Sequence, residues 1–163
     1  MLSLLIILCG TVINGSATTW TTVSAGSINT LSNRSDGSTS PTTFATPGDT
    51  WNITMNMTMS SGVPWTVGMA ATAPVTVNLM SGGYISGGAG GFQMIFNIYG
   101  NMNVADTIIA NGGACKLLMN VWGNYTQTSG MVEALGGGAI LVYNINGDFS
   151  MSDGSVISQG GAA

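Results

Sequence analysis

Short stretches in which apolar and polar residues alternate recur along this chain at intervals of about two dozen residues. The phrase NVWGNYTQTSG (120–130) returns as NINGDFSMSDG (144–154) and is preceded by NIYGNMNVADT (97–107). Taking the residue after each turn as an anchor gives Asn56, Thr76, Asn101, Asn124 and Asp148, spaced 20, 25, 23 and 24 residues apart. In the seven-residue phrase that starts at each anchor the second position is apolar or aromatic: Met57, Val77, Met102, Tyr125, Phe149. The fourth is apolar at Met59, Leu79, Val104 and Met151, with Gln127 the exception. This period of two predicts a strand with one buried face. Gly closes the phrase at positions 62, 82, 130 and 154, where it permits a sharp turn at positive φ, and Thr107 replaces it in the remaining copy.

Two further apolar segments complete each unit. One is short, as in YI (84–85), II (108–109) and VI (156–157); after a Gly-rich turn the other leads to the next anchor, as in FQMIFNI (92–98), CKLLMNV (115–121) and ILVYNI (140–145). Three strands and their turns in this length make one rung of a parallel β-helix. The expected fold is therefore all-β, a β-solenoid of about five rungs over residues 51–163. Rungs stack at about 4.8 Å, and no rung buries its apolar face alone. Met57, Val77, Met102, Tyr125 and Phe149 then form one inward column. Four positions before each anchor stand Asn52, Thr72, Asn97, Asn120 and Asn144. They are expected to line up at a turn, facing inward, as a hydrogen-bonded ladder.

The phrases GNYTQTSG (123–130) and GDFSMSDG (147–154) resemble the β-helical repeat regions of large secreted bacterial surface proteins, and the resemblance covers about residues 50–163. It implies an architecture and no chemistry: proteins of that kind are mostly adhesins, matrix components or uncharacterised surface proteins. The many methionines, 11 in all, depart from that pattern, and no sorting domain is visible at the C-terminal end.

The two ends differ from the repeat. Residues 1–17 hold an apolar run, Leu2 to Cys9, that reads as a signal-like segment or as a retained donor strand. It lacks a basic start, the first basic residue being Arg34, and is too short to span a bilayer as a helix, which takes about 20 residues. Residues 18–50 are loop-rich, with breakers at Asp36-Gly37, Pro41 and Pro47-Gly48, and are expected to cap the first rung, with Trp20 or Trp51 closing the core. At the other end SQGGAA stops in a glycine turn of the fifth unit, so the last rung is expected to present an open edge. A neighbouring copy is the expected cover, through end-to-end stacking or donation of the Leu2–Val12 strand. A contact of that kind, repeated without closure, makes a filament.

Composition narrows the chemistry. Charged residues are 5% of 163, against roughly 25% in ordinary globular proteins, while hydrophobic residues reach 45% and glycine numbers 25. The net charge of −4 leaves no basic patch for nucleic acid. With no His, imidazole-based catalysis and metal binding are excluded. Cys9 and Cys115 can form at most one disulfide. The acids Asp36, Asp49, Asp106, Glu133, Asp148 and Asp153 are scattered, which disfavours a polysaccharide-cleaving site and a calcium site at Asp106 and Asp153, and favours turn-forming roles. No cofactor is expected. The sequons at Asn14, Asn33, Asn52, Asn56 and Asn124, and DTI at 106–108, are candidate glycosylation signals, of which Asn33, Thr107 and Asn124 fit outward positions. Glycans would help solubilise so uncharged a surface.

The resulting expectation is a non-enzymatic, secreted or cell-surface structural protein that self-associates into a fibre or matrix. The alternative is a carbohydrate-binding adhesin using Tyr84, Tyr99 or Trp122 as sugar platforms; a third is a polysaccharide-cleaving β-helix.

Overall fold

The structure, a computed structural model, describes residues 16–69 and 74–160. It is a parallel β-solenoid with three sheets, four complete turns and a partial turn at each end. The partial first turn is β1 (Thr19–Thr22) and β2 (Gly26–Ser27), followed by β3 (Arg34–Ser35). The complete turns are β4 (Thr50–Ile53), β5 (Asn56–Thr58) and β6 (Trp65–Val67); β7 (Val75–Leu79), β8 (Tyr84–Gly88) and β9 (Gln93–Ile98); β10 (Gly100–Val104), β11 (Thr107–Asn111) and β12 (Lys116–Val121); β13 (Tyr125–Gln127), β14 (Met131–Leu135) and β15 (Ile140–Ile145). The partial last turn is β16 (Phe149–Met151) and β17 (Ser155–Gln159).

Like strands stack on like. One sheet runs β16-β13-β10-β7-β4-β1-β3, the second β17-β14-β11-β8-β5-β2 and the third β15-β12-β9-β6. Every pairing is parallel except β3 on β1. The alternation that marks strands in the sequence is the alternation of burial: β12 reads half-buried, buried, half-buried through its six residues. Inward residues of successive turns fall in register and form the core.

Of the glycines that close the repeated phrase, Gly82, Gly130 and Gly154 hold the corner between the first and second sheets, and Gly62 the corner between the second and third. Gly62, Gly82, Gly130 and Gly154 have φ of 69°, 90°, 74° and 95°, a backbone that side-chain-bearing residues rarely adopt. Thr107 stands in a turn one residue shorter: two residues separate Val104 from Thr107, three separate Gln127 from Met131. No left-handed residue is needed there, and the Asp106 carboxylate organises the corner by accepting from the N–H of Thr107 and of Gly82, each at 2.8 Å.

Three expectations are corrected by register. Met57 is not in the column of Val77, Met102, Tyr125 and Phe149; it lies in β5 of the second sheet, opposite Ile85. The residue beneath Val77 is Trp51, with Trp20 beneath that. The NMT of 56–58 imitates the phrase in composition, but Thr50 is the residue that pairs with Thr76. Asn52 likewise belongs to the first sheet, opposite Asn78, and not to the stack of Asn97, Asn120 and Asn144 in the third. That stack points outward from mid-strand, where the backbone already pairs in the sheet and the amides pair beside it; it does not face inward at a turn. Thr72 and the Leu2–Val12 segment lie outside the described residues, as do Cys9 and Asn14.

The solenoid also begins earlier than residue 50, because Thr19–Thr21 already pair with Thr50–Asn52. The segment after β2 folds over that end of the core. Phe44 packs on Trp51 and edge-on to Trp65, at centroid distances of 5.0 and 6.0 Å. Fully buried Arg34 lies against all three rings, 4.9 Å from Phe44, 5.4 Å from Trp65 and 6.0 Å from Trp51. One guanidinium nitrogen donates to the carbonyls of Ile28 and Thr30, and burial lowers the pKa of Arg34 from 12.5 to about 10. The cation is thus held by ring faces and carbonyls.

Candidate functional site

The two ends of the stack are unlike. At the N-terminal end β3 closes the first sheet and Arg34, Phe44 and Trp20 cover the core. At the C-terminal end β15, β16 and β17 are each the last strand of their sheet, with one edge paired and the other unpaired among the described residues. Bare strand edges are templates for further pairing.

The side chains at this end are the last members of the inward columns. Phe149 follows Trp51, Val77, Met102 and Tyr125. Met151 follows Ile53, Leu79, Val104 and Gln127, and Val156 follows Met57, Ile85, Ile108 and Val132. Leu141, Tyr143 and Ile145 end the columns of the third sheet. The earlier members are almost all fully buried, whereas Phe149 is 51% exposed, Met151 47% and Val156 38%. Identical positions thus meet core on one side and solvent on the other, an apolar surface of the kind that marks an interaction site.

A buried polar network stiffens the turn below. Tyr125 Oη donates to Gln127 Oε1 at 3.0 Å, and Gln127 Nε2 donates to the carbonyls of Ser155 and Gly130 at 3.1 and 3.3 Å. Gln127, the polar break in the apolar pattern, is therefore fully buried and bonded up to the last turn. Phe149 stacks on Tyr125 with centroids 5.2 Å apart and planes 7° from parallel, and Tyr143 meets both rings edge-on. Burial raises the pKa of Tyr143 to about 12, offset in part by its hydrogen bond with Tyr125. Tyr125 is pushed up further, by burial first and then by Tyr143.

Outward amides form two ladders. In the third sheet Asn144 Nδ2 donates to Asn120 Oδ1 at 2.8 Å, Asn120 to Asn97 at 2.9 Å and Asn97 to Thr66 at 3.2 Å. In the first, Asn103 donates to Asn78 at 2.8 Å and Asn78 to Asn52 at 2.9 Å. A third series lies at the turns, where Asn101 Oδ1 accepts from the Asn124 N–H and Asn124 Oδ1 from the Asp148 N–H, each at 2.9 Å.

Most acids serve the backbone. Asp49 accepts from Thr18 N–H and Trp20 Nε1, Asp153 from Gly154 N–H, and Asp36 from Ser38 and Thr39, bonds that lower its pKa to about 2. No three metal-ligating acids or cysteines converge among the described residues. Cys115 is buried with Sγ against the carbonyls of Ala110 and Leu135.

Of the candidate glycosylation positions, Asn124 is exposed and Thr107 half-buried on an outward face. Asn33 is tied down, donating to the Ser27 carbonyl and accepting from Ser24 Oγ. The aromatic candidates separate: Tyr84 lines an open groove of about 380 Å³ with Thr58, Ser86, Ile109 and Asn111, while Tyr99 and Trp122 stack on each other at 4.3 Å at a different corner. No described helix is long and apolar enough to cross a membrane.

The fold defines the chain as a β-solenoid repeat protein. No family model, curated protein or solved structure matches it.

Proposed function

We propose that this chain is a non-catalytic structural subunit of an extracellular fibre or matrix, and that it assembles end to end through its C-terminal turn. The observation that carries the reading is that Phe149, Met151 and Val156 continue buried core columns yet are 38–51% exposed beside three strand edges that no described residue pairs. Strand donation fits better than direct rung-on-rung stacking, because β3 and the Arg34–Phe44 cover occupy the other end. The donor is the apolar segment Leu2–Val12 of the next copy, which is long enough to add a strand and whose apolar side chains suit the exposed columns. An extracellular setting is supported by the sparse charge, the Ser, Thr and Asn on outward faces, and the resemblance to secreted surface repeats. Glycans at exposed Asn124 would emerge beside the last turn, since its Oδ1 accepts from the Asp148 N–H.

Deleting residues 2–12 tests the mechanism. The shortened chain stays a folded monomer, and a peptide of residues 2–12 binds it at the C-terminal end. Filaments formed equally well by the shortened chain would refute donation.

A second reading, a carbohydrate-binding module, is favoured by one observation: Trp122 is 43% exposed and is backed by Tyr99, which holds its ring in place. Binding on a glycan array that Trp122→Ala abolishes would support it.

A further inference from the structure

The outward face of the second sheet is notched at its middle strands. Ser86 and Gly88 point outward from β8, and the residues opposite them in β11, Ile109 and Asn111, are larger. Gly88 has no room for a side chain, because a Cβ would lie 2.6 Å from the Asn111 carbonyl oxygen. The notch is the open groove of about 380 Å³, which Tyr84 and Thr58 also line. It is built from β5, β8 and β11 of one chain, so it is complete without any assembly.

The polar groups of this groove are uncommitted. The hydroxyls of Thr58, Tyr84 and Ser86 and the amide of Asn111 make no hydrogen bond among the described residues. Elsewhere outward asparagines pair in ladders, as Asn78 does with Asn52 and Asn120 with Asn97. Asn111 has no such neighbour, since Gly88 stands on one side of it and Leu135 on the other. No charged side chain lines the groove. Asp106 and Glu133 border it on the sheet: Asp106 precedes Thr107, which pairs with Tyr84, and Glu133 pairs with Ile109.

We propose that this groove binds a neutral saccharide of one or two sugar rings. Its volume lies at the lower end of the roughly 300–1,000 Å³ typical of small-ligand sites. Hydroxyls and an amide both donate and accept, which matches a ligand whose own hydroxyls do both. The apolar face of a sugar ring finds Tyr84 and Ile109. The bordering acids repel uronate, sulfate and phosphate groups, which selects an uncharged ligand. The site is separate from the Trp122 corner and does not depend on the end-to-end reading.

The experiment measures binding of the full chain to two sets of oligosaccharides on an array, followed by calorimetry on the best neutral binder. One set is neutral, built of hexoses and N-acetylhexosamines, and the other is acidic, built of uronic acids. Wild type binds a neutral member. Asn111→Ala removes no hydrogen bond from the protein, so it leaves the fold intact, and it weakens binding by roughly tenfold. Tyr84→Ala weakens binding likewise, Ser86→Trp fills the notch and abolishes it, and Trp122→Ala leaves it unchanged. Circular dichroism checks each variant, and Asn111→Ala decides the matter should either of the larger changes unfold the chain. Absence of any neutral binder, or binding confined to the acidic set, overturns the proposal. So does a neutral binder that is lost in Trp122→Ala and kept in Asn111→Ala, a result that would move recognition to the other corner. Filaments, formed or not, bear on the end-to-end reading alone.

Discussion

The ring of Phe149 lies on that of Tyr125, 5.2 Å away and 7° from parallel, and half of its surface meets solvent. One face continues the core and the other is uncovered. Replacing Phe149 by Asp puts a charge where the next layer must dry out, so assembly is lost. The cost to the monomer is the stacked contact with Tyr125 and the edge-on contact with Tyr143, about 1–3 kcal/mol. Sedimentation velocity of Phe149→Asp at concentrations where wild type assembles checks the first part, and urea denaturation the second.

The amide ladder of the third sheet contributes through its middle member. Asn120 both donates to Asn97 and accepts from Asn144. Asn120→Ala breaks two hydrogen bonds and leaves half-buried Asn97 without its donor, a loss of about 1–2 kcal/mol. Asn144→Ala, at the exposed end, costs about 0.5–1 kcal/mol. Chemical denaturation of both variants should keep this order.

Gly123 is required by close approach. A Cβ there would lie 2.5 Å from Asn101 Oδ1 and 2.7 Å from the Gly100 carbonyl carbon. Backbone cannot retreat without breaking the turn series of Asn101, Asn124 and Asp148. Gly123→Ala is expected to cost more than about 2 kcal/mol, whereas Gly113→Ala, where a Cβ meets nothing within 4 Å, stays within about 0.5 kcal/mol. Equal melting temperatures for the two variants would contradict this.

Alkaline pH should loosen the last turns. Tyr143 has a folded pKa raised to about 12 from an unfolded value of 10, by burial. Between these values the unfolded chain has lost its proton and the folded chain has kept it. The stability is therefore fully present below pH 10 and declines as pH rises from 10 toward 12. Tyr125 acts in the same direction. Arg34, lowered to about 10, acts in the opposite direction over the same range, so the comparison is made between Tyr143→Phe and wild type. The variant should lose stability less steeply above pH 10, measured by denaturation at successive pH values.

The sequence is most legible where its period is clean. From Thr76 onward the phrases sit on strands of the first sheet, so Val77, Met102, Tyr125 and Phe149 align from spacing alone. Met57 does not, because Asn-x-Thr occurs in the first sheet and, at 56–58, in the second, and composition does not distinguish them. Asparagine is equally ambiguous, since outward ladders run on two sheets and Asn52 belongs to the other one. Gln127 reads as a break in the apolar series; its place in the core depends on carbonyls of Gly130 and Ser155, one of them a turn away. The cover over the first turn is legible as a loop-rich segment, but nothing local announces that its cation is buried among Phe44, Trp51 and Trp65. The exposed last described turn is legible as one more copy of the repeat, and its exposure is a matter of what lies above it.

Electron microscopy with diffraction from the purified chain tests the central claim most directly. The account predicts filaments with a strong axial spacing of about 4.8 Å that runs on from one subunit to the next, and their loss in Phe149→Asp. A monodisperse 16.5 kDa monomer at every concentration tested would contradict it.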